Sequence, residues 1–245
     1  MSDSPPPIIE LRDVCKSFGN GPAVEEVSFS VERGTCYGLL GPNGAGKTTI
    51  LKVIYGFVRP TSGSVTVGGV DVRSEPGKAR EGIGIAPQDD VLDPDLTVAQ
   101  NLLFHARYCR LPRQEARLRT ERLLREMRLE GHGDEAVAHL STGLRRRLVL
   151  ARSMLNDPGI VILDEPTRGL DRRSRVRHLD VLRKMKEEGV TLMLATHEQR
   201  EAEALCDRVA IIKRGRIFAE GPAAEILSAR DEEHTRTHRD TEAAG

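Results

Sequence analysis

The run Gly41-Pro42-Asn43-Gly44-Ala45-Gly46-Lys47-Thr48 constrains this chain more than any other segment. It follows an apolar stretch that reads as a strand, Cys36–Leu40, and leads into a helical stretch, Thr49–Tyr55. The pattern G-x-x-x-x-G-K-[ST] in that setting describes a loop that wraps phosphate groups. Glycines let the backbone curl until several N–H groups point inward, and the helix start adds its dipole and unpaired donors. Lys47 is placed to reach β- and γ-phosphates, and the Thr48 hydroxyl is a hard oxygen ligand suited to Mg²⁺. Gly41, Pro42, Asn43, Gly44, Ala45, Gly46, Lys47, Thr48 and Thr49 are the candidate nucleotide-binding residues of this segment.

The rest of the chain has to build a sheet around that loop. Residues 8–14, 23–31, 35–40 and 64–67 alternate or run apolar in short stretches with Gly turns, which reads as strands. From about 97 to 155 the pattern turns helical. Thr97-Val98-Ala99-Gln100 has capping-box spacing, and Ala116, Thr120, Leu123, Leu124 and Met127 recur at helical intervals. A further helix is expected over Arg145–Leu155. Strands then return between helices: Ile160–Leu163, helix Arg172–Glu188, Val190–Ala195, helix Glu198–Leu205, Arg208–Lys213, Arg216–Ala219 and a short helix near Pro222–Leu227. Alternation of this kind predicts an α/β fold with a mostly parallel sheet core. The early strands form an antiparallel β flank, and the middle is an inserted α-helical subdomain, about residues 89–155. The polar runs 1–7 and 229–245 read as disordered tails around one folded unit, 8–228.

Other residues stand where such a sheet binds ligands, at the C-terminal ends of strands. Asp164-Glu165 closes the apolar run Ile160–Leu163. Asp164 is placed to hold Mg²⁺ through water, and Glu165 to polarise an attacking water as general base. Taken alone, the pair could equally be a turn or a helix cap; beside a phosphate loop the catalytic reading is favoured. Gln88 follows the strand Ile83–Ala86, and His197 follows Val190–Ala195. Leu140-Ser141-Thr142-Gly143-Leu144 reads as a helix cap before the basic turn Arg145–Arg147, which opposes the helix dipole unless an anion lies nearby. Gly169-Leu170-Asp171 alone is a turn and cap.

Together and in this order, these residues resemble the ATP-binding subunit of ABC (ATP-binding cassette) transporters, over about residues 8–227. Gly41–Thr48 is similar to Walker A, and Ile160–Glu165 to Walker B with its catalytic glutamate. Gln88 matches the Q-loop, Leu140–Leu144 the signature, Gly169–Asp171 the D-loop and His197 the switch histidine. Phe18 stands where the family keeps an aromatic ring against adenine. The resemblance implies a P-loop NTPase fold and two ATP molecules with Mg²⁺ held between two head-to-tail domains. It makes Glu165, His197 and Gln88 the catalytic set, and Thr48, Gln88 and Asp164 the metal-binding set. It sends Ser141 and the Gly143 N–H to the γ-phosphate bound by the partner chain, with Asp171 at the same interface. A separate polytopic permease would hold the protein at the cytoplasmic face of the cell membrane.

Three departures stand out. The usual Ser-Gly-Gly-Gln reads Ser141-Thr142-Gly143-Leu144, so Thr142 would be strained if that position required positive φ. Leu144 removes an amide, and Arg172 replaces the Pro often found after the D-loop Asp. The stretches 86–98, 163–171 and 196–207 look most like ATPases of ABC-2-type exporters of the nodulation-factor and daunorubicin class. The alternative is a soluble ABC ATPase without a transport role, such as an iron–sulfur assembly type, whose motifs are the same.

Composition fits this reading. Lys and Arg number 37 and Asp and Glu 37. Without a basic excess, and with only 3 Tyr, 5 Phe and no Trp for stacking, nucleic acid is not expected as a partner. Residues 107–147 nevertheless carry a net +5, a surface suited to docking near a partner or to plain solvation. Cys15, Cys36, Cys109 and Cys206 show no CxxC spacing, which fits a reducing compartment and points to no zinc site. The start lacks a signal-peptide pattern, and the apolar runs are strand-length, well short of the ~20 residues of a membrane helix. A soluble protein is expected, with any membrane role supplied by a partner.

Overall fold

A computed structural model describes residues 5–19, 21–89 and 91–229. The disorder expected of 1–4 and 230–245 lies outside the described residues, as does Asp90. The chain runs β1 (Ile9–Phe18), β2 (Gly21–Val31), β3 (Cys36–Leu40), α1 (Lys47–Ile54), β4 (Ser62–Val67), β5 (Val70–Asp71) and α2 (Pro76–Arg80). It continues through β6 (Ile83–Ala86), α3 (Val98–Tyr108), α4 (Arg113–Glu126), α5 (Thr142–Ser153) and β7 (Ile160–Asp164). It ends with α6 (Arg172–Glu187), β8 (Thr191–Thr196), α7 (Gln199–Leu205), β9 (Arg208–Lys213), β10 (Arg216–Pro222) and a helix, α8, over 223–229. That last helix includes residue 229, which the sequence assigned to the tail.

The strands make two sheets. One is antiparallel, in the order β2-β1-β4-β5; the other has the order β10-β9-β3-β8-β7-β6. In the second, β9, β3, β8, β7 and β6 run parallel, and β10 joins the edge antiparallel to β9. The central parallel strands β3, β7 and β8 are buried along their whole length because both faces are covered. Side chains alternate between two cores, as a period of two requires. Ile160, Ile162, Met193 and Ala195 face the core shared with α1 and the antiparallel sheet, whereas Val161, Leu163, Leu192 and Leu194 face the core shared with α3 to α6.

Local chemistry sets the helix boundaries. At the start of α3 the Thr97 hydroxyl accepts from the Gln100 N–H at 3.2 Å, and the Thr97 N–H donates to Gln100 Oε1 at 2.9 Å. That is the capping box expected from the sequence. Helix α5 starts at Thr142, three residues before the expected start, because Ser141 caps it. Thr142 is not among the residues with positive φ, so the condition under which its side chain would be strained is not met. Elements β5 and α2 were not expected. They are two and five residues long, and depend on pairing with β4 and on the Asp71 carboxylate, which accepts from the N–H groups of Arg73 and Ser74. No helix among the described residues is long and apolar enough to cross a membrane.

The order β3-β8-β7-β6 places four strand ends side by side, and the segments after them carry Gly41, His197, Glu165 and Gln88. Strand β6 reaches its place only because Gly84 lets the end of α5 approach. A Cβ there would lie 2.3 Å from the Ser153 carbonyl oxygen and 3.0 Å from Pro158 Cγ. Gly84→Ala is expected to lower unfolding stability by about 1–3 kcal/mol, the usual cost of overpacking, measured as a shift of the urea midpoint at constant slope.

Candidate active site

The loop after β3 has the backbone that its glycines permit. Gly44 and Gly46 have φ of +77° and +106°, and a Cβ on Gly46 would lie 2.6 Å from the Ala23 carbonyl oxygen. Gly46 is also the N-cap of α1, which has no side-chain cap, so the first turn presents its N–H groups to the loop. The β9–β10 turn supports the loop from behind, where the Gly215 N–H donates to the Ala45 carbonyl at 2.9 Å. The Lys47 side chain is buried and folds back along the loop. Its Nζ donates to the carbonyls of Gly41 and Pro42 at 2.8 and 3.2 Å.

Glu165 stands opposite. It leaves β7 in a left-handed conformation, φ +51°, with its N–H donating to the Ala195 carbonyl on β8 at 2.8 Å. Glu165 is 5% exposed, and its carboxylate is held on both sides. One oxygen lies 3.4 Å from Lys47 Nζ, and the other lies 2.7 Å from His197 Nδ1. The His197 side chain is 41% exposed and can still reach a bound molecule. Asp164 is buried beneath them, and its Oδ1 has no hydrogen-bond partner. Burial raises its pKa; the Thr48 hydroxyl opposes the rise, and the Glu165 charge adds to it. An orphaned acidic oxygen beside a hydroxyl suits a hard cation.

Lys47 and Glu165 border a cavity of about 420 Å³, whereas Asp164 and His197 touch this pair or lie beneath it without lining the cavity. Residues 43–49 form one wall, and Gln88, Glu165, Arg168 and Ala23 complete it. The remaining predicted site residues lie elsewhere. Phe18, at the end of β1, is 50% exposed with Lys16 Nζ 4.9 Å from its ring centroid, and it does not line the cavity. Ser141 Oγ accepts from the Leu144 N–H at 3.3 Å. Asp171 caps α6, accepting from the N–H groups of Arg173 and Ser174 at 2.9 and 3.0 Å and from Ser174 Oγ at 2.6 Å. Those bonds, led by that of the Ser174 hydroxyl, hold its pKa below the usual carboxylate value. A Cβ on Gly143 would lie 3.0 Å from Ser174 Oγ, so the starts of α5 and α6 meet at Ser174. Ser141, Gly143 and Asp171 thus form a second cluster, and none of them lines the cavity.

Three residues near the site were missed by sequence reasoning. Ala23 carries no chemical signal. Arg168 could have been noticed as a cation three residues after an acidic strand end. Glu201 lies on the buried face of α7, 2% exposed, with Oε1 unpartnered. Burial pushes its pKa up to about 7, against the hydroxyls of Thr196 and Thr167; Glu165 adds to the rise and Arg175 opposes it.

A family model described as ABC transporter matches residues 24–168. The chain is 46% identical over 221 residues to Nod factor export ATP-binding protein I of Burkholderia orbicola, covering 90% of this chain and 73% of that protein. It is 48% identical over 213 residues to the protein of the same name from Rhizobium meliloti, covering 87% of this chain and 64% of that one. Among solved structures it is similar to cbiO1 of Clostridium perfringens, part of the ABC transporter complex cbiONQ, with TM-score 0.84, 29% identity and 96% of both chains covered. It is also similar to the ATP-binding cassette MJ0796, solved as a dimer in a post-hydrolysis state with ADP and Pi. There the TM-score is 0.80 at 27% identity, covering 88% of this chain and 98% of that one.

Glu201 has a measurable consequence. The folded chain keeps a proton on it up to about pH 7, whereas the unfolded chain releases it near the ordinary value of 4.5. The folded state binds more protons in that window, so this residue's contribution to stability is lost as pH rises from about 4.5 to about 7. Glu201→Gln cannot titrate. Its stability relative to wild type should rise by about 2 kcal/mol between pH 5 and pH 8 in urea unfolding, and a pH-independent difference would contradict the assignment.

Proposed function

The chain belongs to the ABC transporter family as an ATP-binding, ATP-hydrolysing subunit, and we propose that it drives export through a separate membrane permease, using the residues gathered around Glu165. The observation that carries this reading is the contact of Glu165 with Lys47 on one side and His197 on the other, at the mouth of the phosphate loop.

ATP binds with its phosphates against the amides of residues 43–49, and Lys47 turns from the loop carbonyls to the β- and γ-phosphates. Phe18 and Ala23 lie toward the adenine end. Thr48, Gln88 and Asp164 would hold Mg²⁺, a reading supported by the unpartnered Asp164 Oδ1. Bound there, the ion would supply charge neutralisation to the phosphates. His197 hydrogen-bonds the γ-phosphate and keeps the Glu165 carboxylate aimed at water. Glu165 takes a proton from that water as its oxygen bonds to the γ-phosphorus and the bond to the bridging oxygen breaks, leaving ADP and phosphate. The chain contributes mainly placement and charge stabilisation.

A second copy completes the site. The cluster of Ser141, Gly143 and Asp171 lies off its own chain's cavity and faces the partner's ATP. The resulting shift from an open to a closed pair is the power stroke. Residues 8–228 act as the ATPase unit, with 89–155 as its helical subdomain. The permease docks near Gln88. There Pro87, Val91 and His105 border an apolar groove of about 360 Å³, and Phe104 and Tyr108 are exposed beside it. Docking there holds the subunit at the cytoplasmic face of the membrane. The exported compound resembles in class those handled by nodulation-factor exporters, a reading supported by the names of the relatives.

Glu165→Gln should cut steady-state ATP hydrolysis by at least about 100-fold while ATP still binds, leaving a dimer visible by size exclusion. Hydrolysis at the wild-type rate would remove Glu165 as the base. Lys47→Ala should abolish measurable ATP binding. Mixing Ser141→Arg chains with Lys47→Ala chains should recover activity absent from either alone, through one intact composite site. Co-purification with a polytopic protein from detergent-solubilised membranes tests the export assignment, and recovery only with soluble partners would overturn it.

A further inference from the structure

We infer that Arg168 is a second cation for the terminal phosphate of ATP bound in its own chain, acting alongside Lys47. This rests on the nucleotide-binding reading above, which assigns Arg168 no role.

Arg168 lines the same cavity as Lys47, Thr48, Gln88 and Glu165. It stands at the Glu165 end, with its N–H donating to the Glu165 carbonyl at 3.1 Å. Ala23 on β2 also lines the cavity, and in the assignment above lies toward the adenine end. A nucleotide with its β-phosphate on the loop amides therefore directs its last phosphate toward the end where Arg168 lies. The backbone carrying the residue is anchored. Thr167 is 1% exposed, and its carbonyl accepts from the Leu170 N–H at 3.1 Å. The Arg168 residue itself is exposed.

Charge on the two cations is distributed differently. Lys47 shares its charge with the Glu165 carboxylate and two backbone carbonyls. Among the described residues no carboxylate pairs with Arg168, whereas Arg175 nearby lies 3.6 Å from Glu198. A guanidinium anchored at its backbone and otherwise uncommitted presents paired N–H donors that match the oxygens of a phosphate. ATP offers those oxygens at the γ position and ADP does not. Arg168 therefore favours ATP over ADP, in a chain whose signature has Leu144 where the family has an amide.

The test is nucleotide titration of the full chain at protein concentrations where light scattering reports a monomer. Arg168→Ala should weaken ATP binding about 10-fold or more and change ADP binding less than about twofold, with an unchanged melting temperature. Arg168→Lys should restore part of the ATP preference. An equal loss for both nucleotides, no loss, or a loss seen only in the ATP-bound dimer overturns the assignment. Wild-type chain that binds no ATP overturns the nucleotide reading and this inference with it. Wild-type binding with an unchanged preference in Arg168→Ala overturns this inference alone.

Discussion

A buried carboxylate held between a lysine and a histidine organises the centre of this protein. Glu165 is 5% exposed, and a charge so buried is costly unless partners meet it on every side. Lys47 comes from the loop after β3, His197 from the end of β8, and Glu165 from the end of β7. Each partner is useless unless all three strands end at the same level. The contact therefore depends on strand order, register and the positive-φ turn at Glu165 together.

The sheet is built to satisfy that demand. Strand β3 pairs with β8, and β8 with β7, all parallel, so the carboxylate, the imidazole and the phosphate loop leave the same edge. Two cores on opposite faces hold those strands rigidly. The antiparallel sheet and the β9–β10 turn support the loop from behind, and α3 to α6 cover the other face. Glu201 and Asp164 carry the cost of this arrangement, because each is a buried carboxyl whose pKa is raised mainly by burial.

Much of this was legible from residue order. Apolar runs such as Ile160–Leu163 read as strands, and Thr97 with Gln100 marked a helix start that the structure has. The loop at 41–48 needed no partner to be read, because its glycines and Lys47 serve a local backbone conformation. The two short elements β5 and α2 escaped notice because their stability comes from β4 and Asp71, not from periodicity. Thr142 is accommodated because Ser141 caps a helix that keeps Thr142 right-handed.

By itself, the sequence determined the phosphate loop, the acidic strand end, the helical middle and the family, all of which rest on residues near one another in the chain or in a set order along it. Tertiary structure decided which side chains converge. It brought His197 within 2.7 Å of Glu165 across 32 positions, and separated the Ser141–Asp171 cluster from the cavity. It turned Arg168 into the cavity and left Glu201 buried behind it. The reason is that a strand's local sequence specifies its faces but not its neighbours, and here the neighbours decide which charges meet.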